Sequence, residues 1–447
     1  MLVIALACIT IIEVHLNLSK YKYDNVIKWD ITSYYSYLPA TFIDKDVSLK
    51  FVTLENNNKN SGIKYWYIED EKGNRVIKYT MGMAVLYAPF FFIAHLLASP
   101  LGYANDGFSV IYECMIDFSG LIYIALGLWY LRKLLLQFYS EKITALTLLL
   151  VFFGTNLLYY TCVESAMSHA YTFSIFSIFL YYTHTYYHTQ SFKPLIAVAI
   201  CFGMMVLIRP LNILFILPFL LYNVLTLSQL KKRLLFFTNH YRHVLVFVCI
   251  FILIIAPQLL YYKYVTGNWL IFSYGNEKFY FSNPQILNVL FSFRKGWYLY
   301  TPIMLIATVG IFTLYKQNTK IFISGLLALF PLYVFLISSW WCWWYGGSFG
   351  QRTFIDIYPL LAIPLGSFIY YIHQKSKIFS KTCVTVLCLL MFLNIFQTFQ
   401  YKYNIIDYDG MTKEAYWQVF GSMNPESIKA EYLKKPNYEA ALNGQQE

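Results

Sequence analysis

The sequence predicts an all-α polytopic membrane protein with about eleven transmembrane helices and a long extracytoplasmic first loop. Three observations carry that expectation. Of 447 residues, 58% are apolar and only 13% are charged, against roughly 25% in a soluble domain. Mean hydropathy is +0.49. Apolar runs of spanning length recur along the chain, separated by short basic connections. Together they exclude a soluble enzyme and a disordered chain. The net charge of +11 does not call for nucleic acid, because basic residues between apolar spans fix topology. Eight cysteines (Cys8, Cys114, Cys162, Cys201, Cys249, Cys342, Cys383 and Cys388) lie mostly inside apolar runs without zinc or redox spacing. They read as small buried hydrophobes.

Met1 to Leu18 is a first apolar segment with no small-x-small cleavage site after it, so an uncleaved anchor is expected. Residues 19–108 form the first loop, polar over 19–78. Further spans are expected near 109–131, 142–160, 166–187, 194–208, 210–228, 244–262, 298–315, 321–340, 354–372 and 382–400. This gives a membrane domain over 1–400 and a polar extracytoplasmic tail over 401–447. Alternate connections carry Arg132, Lys133, Lys142, Lys193, Lys231, Lys232, Arg233, Arg242, Lys316, Lys320, Lys375, Lys377 and Lys381, with Glu141 as their single acid. By the positive-inside rule these connections face the cytoplasm. Residues 79–98 are apolar enough to span, but crossing there would make the polar loop cytoplasmic. The expectation is instead a helix along the outer interface, interrupted at Pro89 and ended near Pro100. No internal repeat is evident, which counts against inverted-repeat transporter folds.

The polar residues that stand out belong to the outward connections. Asp30, in Lys28-Trp29-Asp30-Ile31-Thr32-Ser33-Tyr34-Tyr35, follows the first span. Its bland reading is a solvated or capping acid. Lys78 opens the 79–98 segment, where a snorkelling lysine is the plain alternative. Glu164 and His169 lie in a short turn, where Glu164 could simply cap the next helix. Arg209-Pro210 sits where two spans meet and opposes the loop-charge pattern, so a functional role is the default. Late in the chain, Trp340-Trp341-Cys342-Trp343-Trp344-Tyr345-Gly346-Gly347-Ser348-Phe349-Gly350-Gln351-Arg352 could be an aromatic belt. Three glycines and an arginine beside it also suit a backbone shaped around a ligand. Phosphate-loop and zinc-protease signatures are absent from the sequence. What remains, acids and several cations at the outer surface, suits a lipid-bound, phosphorylated substrate attacked by a hydroxyl group.

These residues resemble those of the C-type (GT-C) glycosyltransferases, in the branch of the protein O-mannosyltransferases and the lipid A aminoarabinose transferase (family 39-like). The resemblance covers residues 1–400 in topology through short motifs. It implies an inverting enzyme that moves a sugar from a polyprenyl-phosphate donor to a glycan, lipid or protein acceptor, outside the membrane. Asp30 matches the family's first-loop acid, although Ile31 follows in place of a second acid. Lys78 matches a lysine that contacts the donor phosphate, and Glu164 stands in the place of a second acid. Arg209 lies where relatives carry Lys, and Arg352 matches an Arg at the outer start of a late span. Trp343-Trp344-Tyr345-Gly346 resembles the oligosaccharyltransferase signature Trp-Trp-Asp-Tyr-Gly without its Asp, which counts against asparagine glycosylation.

On this reading Asp30 and Glu164 are catalytic, and Lys78, Arg209 and Arg352 hold the donor phosphate. Tyr34, Tyr35, His169, Trp343, Trp344 and Tyr345 line the substrate site. No cofactor is required and no metal is predicted, with a divalent ion bridging Asp30 and Glu164 left open. Two rivals remain: an O-antigen-ligase- or polymerase-like enzyme dependent on late-loop Arg and His, and a lipid or sugar transporter with ionisable groups at mid-membrane.

Overall fold

In lipid, backbone amides find no water, so a chain this apolar satisfies them within helices. The computed structural model describes residues 26–59, 62–315 and 318–445, together with Ile11, Val14 and His15. The expected first span over 1–18 lies almost wholly outside the described residues. The protein is mostly helical. Among the described residues, six helices are long and apolar enough to cross a membrane: Gly82–Leu101, Val110–Leu135, Tyr241–Thr266, Thr319–Ser339, Arg352–His373 and Lys377–Lys402. This is the architecture of a helical membrane protein.

The described chain opens with the short helix α1 (Asp30–Tyr35) and two small antiparallel hairpins, Asn58–Lys59 with Gly62–Ile63 and Tyr67–Glu69 with Arg75–Ile77. The bundle follows with α2 (Gly82–Ala98), α3 (Val110–Leu135), α4 (Glu141–Phe153), α5 (Ser168–Thr189) and α6 (Phe192–Ile208). It continues with α7 (Leu227–Asn239), α8 (Tyr241–Thr266), α9 (Pro302–Leu314), α10 (Ile323–Ser339), α11 (Tyr358–His373) and α12 (Lys377–Lys402). Helices α2, α3, α5, α6 and α8 pack in succession, and α11 joins α9 to α4. Small residues allow the closest approaches, as expected where lipid removes the hydrophobic drive between helices. A side chain on Gly120 of α3 would strike the Ser165 carbonyl, and one on Gly310 of α9 would strike that of Pro364. Large apolar side chains such as Leu253 and Leu260 on α8, Phe312 on α9 and Leu389 on α12 remain exposed on the bundle's flanks.

Four sequence expectations change. Helix α2 is unbroken through Pro89, because a proline costs a single backbone bond that an apolar helix tolerates. It runs antiparallel along the first half of α3, with His95 Nδ1 2.6 Å from the Tyr112 hydroxyl and Tyr123 donating to the Leu86 carbonyl at 3.1 Å. It therefore lies along a neighbouring helix that is itself long enough to span. The expected span 142–160 divides into α4 and Leu157–Cys162, where Asn156 is buried and bonds Phe349 O at 3.0 Å. The expected span 210–228 is helical over Pro210–Leu220 and then breaks, Asn223 turning back at φ 54° before the next helix begins at Leu227. Part of the basic connection after it is the amphipathic helix α7, started by a Thr226–Gln229 capping box.

The basic connections gather at one end of the bundle. Arg233 of α7 stacks 3.9 Å from the Tyr187 ring centre, Lys133 lies 5.6 Å from that of Tyr181, and Tyr222 packs on Phe322. The Gly120 contact provides a test of the packing. Gly120→Val should cost about 1–3 kcal/mol by forcing α3 from the Ser165 turn, read as a lowered unfolding midpoint in detergent. An unchanged midpoint would show that α3 and this turn do not meet so closely.

Candidate functional site

At the opposite end, elements distant in sequence enclose a cavity of about 1350 Å³. Asp30 enters it as the first residue of α1, where an acid favours the helix start. Lys78 follows the second hairpin and is fixed from three sides. Ile77 N–H donates to the Tyr261 hydroxyl at 2.9 Å, Met81 N–H donates to Gln258 Oε1 at 2.7 Å, and the Lys78 carbonyl accepts from Ser273 Oγ at 2.5 Å. Gln258 thus explains the lone amide in the apolar helix α8: it is buried and pins the chain at Met81, just after Lys78. Glu164 comes from the turn before α5, Arg209 from the end of α6, and Arg352 from the segment before α11.

Lys78, Arg209 and Arg352 are each matched by an acid. Arg352 Nη2 lies 2.9 Å from Asp30 Oδ2, while the Tyr79 hydroxyl donates to Asp30 Oδ1 at 2.9 Å. Both Asp30 oxygens are therefore oriented, and each retains a further lone pair for a proton. Lys78 Nζ pairs with Glu277 Oε1 at 2.5 Å. Arg209 lies 3.5 Å from Asp356 Oδ2, donates to Ser168 Oγ at 2.8 Å, and reaches His169 Nε2 at 3.1 Å. His169 Nδ1 stands 2.9 Å from Asp356 Oδ1. Arginine only donates, so the imidazole proton belongs on Nδ1, facing Asp356, and Nε2 accepts from Arg209. Glu164 accepts from the Tyr159 hydroxyl at 3.3 Å.

Of the residues expected from sequence, Asp30, Glu164, Lys78, Arg209, Arg352, Tyr34 and Tyr345 line the cavity. Tyr345 and Gly346 both adopt left-handed backbone, φ 57° and 66°, which turns the aromatic segment back along the wall as its glycines suggested. The other four stand elsewhere. Tyr35 is buried with its hydroxyl donated to the Gly107 carbonyl. His169 lies behind Arg209, a positioning place. Trp343 and Trp344 are buried away from the cavity, Trp344 edge-on to Tyr438 at 5.4 Å. Trp340 and Trp341 line the wall in their stead. Contributors that went unnoticed in the sequence include Tyr79, Glu277, Asp356 and the buried cavity-lining Asp117. Asp117 and Asp356 carried a clear signal, each an acid within an expected span. Among the described residues, no three His, Cys, Asp or Glu side chains stand close enough together to hold a metal ion.

The polar tail folds over the cavity mouth. Tyr408 and Tyr438 line the wall, Arg294 donates to the Lys434 carbonyl at 3.2 Å, and Tyr438 donates to Asp409 at 2.7 Å. Beneath it Lys295, 1% exposed, donates to the carbonyls of Ser348 and Tyr408, tying the aromatic segment to the tail. Burial pushes its amine down to about 7, and a neutral amine still has two N–H groups for the two carbonyls.

The fold and cavity define a helical membrane protein with a charged, aromatic site at one end of its bundle. No protein-family model matches the chain, and no curated protein matches its sequence.

Lys295 has a pH signature. Between about 7 and its ordinary value near 10.5 the unfolded chain binds more protons than the folded one, so stability should rise with pH across that window and be lowest below it. Unfolding midpoints of wild type and Lys295→Met between pH 7 and 10 check this. The wild-type curve should rise relative to the variant, and parallel curves would refute it.

Proposed function

We propose that this protein is an inverting glycosyltransferase of GT-C-like fold with about eleven spans, moving a sugar from a polyprenyl-phosphate donor to an acceptor hydroxyl. The basic connections at the far end of the bundle support an extracytoplasmic position for the cavity, through the positive-inside rule. The observation that carries the reading is the convergence of Lys78, Arg209 and Arg352 with Asp30 and Glu164 on one cavity. The same cavity extends to Ile255 and Leu259 of α8, beside the exposed Ile252, Leu253 and Leu260. A polyprenyl chain fits along that apolar flank with its phosphate at the cations.

The acceptor oxygen attacks the anomeric carbon from the face opposite the phosphate. Asp30 takes the hydroxyl proton as the new C–O bond forms, a role worth about 10²–10⁴-fold. The bond from the anomeric carbon to the phosphate oxygen breaks, and the electron pair leaves with the polyprenyl phosphate. Charge grows on that oxygen in the transition state, where fixed cations stabilise it more than in the ground state. Arg352 holds Asp30 in place at the same time. Glu164 helps to position the acceptor, and Tyr34, Tyr345, Trp340 and Trp341 offer aromatic faces to the C–H surfaces of a sugar.

Asp30→Asn tests this reading. It keeps the shape and removes the base, so transfer should be lost while donor binding is largely retained. Mass spectrometry of envelope glycans and glycoproteins, with wild type, with the variant and without the protein, supplies the readout. Wild-type glycans from the variant would return Asp30 to an ion-pairing role. Lys78→Ala should weaken donor binding by about 1–3 kcal/mol, the range for a charge-assisted contact. Equal weakening toward the same lipid without phosphate would leave Lys78 as a snorkelling side chain.

A further inference from the structure

Lys78 is 8% exposed, and its ammonium is ringed by Trp66 at 5.3 Å, Tyr79 at 5.6 Å and Tyr274 at 5.7 Å from the ring centres. Ring faces attract a cation without neutralising it, and the counter-charge is the Glu277 carboxylate. Glu277 differs from the other two acids at the cations. Asp356 is fully buried, and Asp30 is held at both oxygens. Glu277 is partly exposed and bonds Lys78 through Oε1.

The backbone around Glu277 is anchored on either side. Ser273 bonds the Lys78 carbonyl, and the Lys278 carbonyl accepts from Trp341 N at 3.1 Å, next to a bridge between Phe279 and Trp340. Between these anchors lies a short turn with Gly275 at φ 60° and open space where its side chain would stand. Glu277 also borders a second cavity of about 450 Å³, lined by Asn276, Lys278, Glu439 and Asn443. Glu277 and Phe272 therefore border both spaces.

We propose that Glu277 is a placeholder for the donor phosphate. Its carboxylate and an anionic headgroup compete for the same Lys78 ammonium, and phosphate binding turns Glu277 into the second cavity, beside Lys278 and solvent. The exchange keeps one negative charge on the lysine throughout, so neither state leaves a poorly solvated cation uncompensated. A lipid with an uncharged headgroup cannot displace the carboxylate, which makes Glu277 a specificity-determining residue. The inference rests on the reading of Lys78 as the phosphate ligand.

The test measures binding of a long-chain polyprenyl monophosphate, with the matching polyprenol as control, to the full chain in detergent. Glu277→Gln removes the competing charge and should bind the phosphate lipid about tenfold more tightly, with polyprenol binding unchanged. Lys78→Ala should bind it more weakly, and in the Lys78→Ala background Glu277→Gln should add nothing. Unchanged or weaker binding by a folded Glu277→Gln, with Lys78→Ala still weakened, overturns the placeholder and leaves the phosphate site standing. Wild-type phosphate binding by Lys78→Ala overturns the phosphate site itself. Should Glu277→Gln not fold, Glu277→Asp withdraws the carboxylate by one methylene. It should then show a smaller gain in affinity, and no gain overturns the placeholder.

Discussion

Lys78, Arg209 and Arg352, facing one poorly solvated cavity, cannot stand unpaired, and most of the architecture at that end follows from their neutralisation. Arg352 draws on Asp30 from the first loop, 322 residues away, and Lys78 draws on Glu277, 199 residues away. Arg209 draws on Asp356 from the turn before α11. Each pair joins segments that the helices alone would leave independent. The first loop, the ends of α6 and α8 and the start of α11 are thereby fixed around one space. Removing either member of such a pair leaves the other charge uncompensated, so the site and the assembly of that end cannot be separated energetically.

The apolar frame sets where this can happen. Helices that satisfy their own backbone can present apolar side chains on their flanks, and polar groups are then confined to ends or to faces turned inward. Gln258 shows the second case, an amide in an apolar helix turned to the protein and bonded to the Met81 amide. Asn156 shows it again, holding the Phe349 carbonyl and the Tyr358 hydroxyl from a break between two helices. Both serve as fixed points from which loops near the cavity are hung.

The helices were legible because apolar length and sign-sorted loop charge are local properties of a sequence. The charges of the site were legible for a related reason: Asp30, Lys78, Glu164, Arg209 and Arg352 interrupt apolar or neutral surroundings at helix ends. Their partners were not, since pairing Lys78 with Glu277 depends on how a long connection folds back. The aromatic segment shows a second limit. Trp340, Trp341 and Tyr345 face the cavity while Trp343 and Trp344 do not. A left-handed pair at Tyr345 and Gly346 reverses the chain, and composition alone does not say which ring falls on which side. Helix α7 was hidden differently. Its capping box and its leucines among lysines were present in the sequence, but the run of basic residues read first as a connection.

The distribution of bulk below the cavity bears on whether the site works from one side or two. Along α5, moving from Ser168 toward the basic end, Phe173, Phe176, Phe179 and Leu180 are all fully buried. Phe176 stacks on Phe215 at 4.6 Å, and Phe219 closes on Tyr186 at 5.6 Å. A carrier must open this layer to pass a polar headgroup, parting close-packed rings of which Phe173, Phe176, Phe179, Phe215 and Phe219 carry no group to replace its hydration. A transferase need not open it at all. Its donor can enter sideways from the lipid along α8, its acceptor can enter past the tail, and the polyprenyl phosphate can leave by the route it came. The packed aromatic floor therefore weighs toward chemistry at one end of the bundle rather than passage through it.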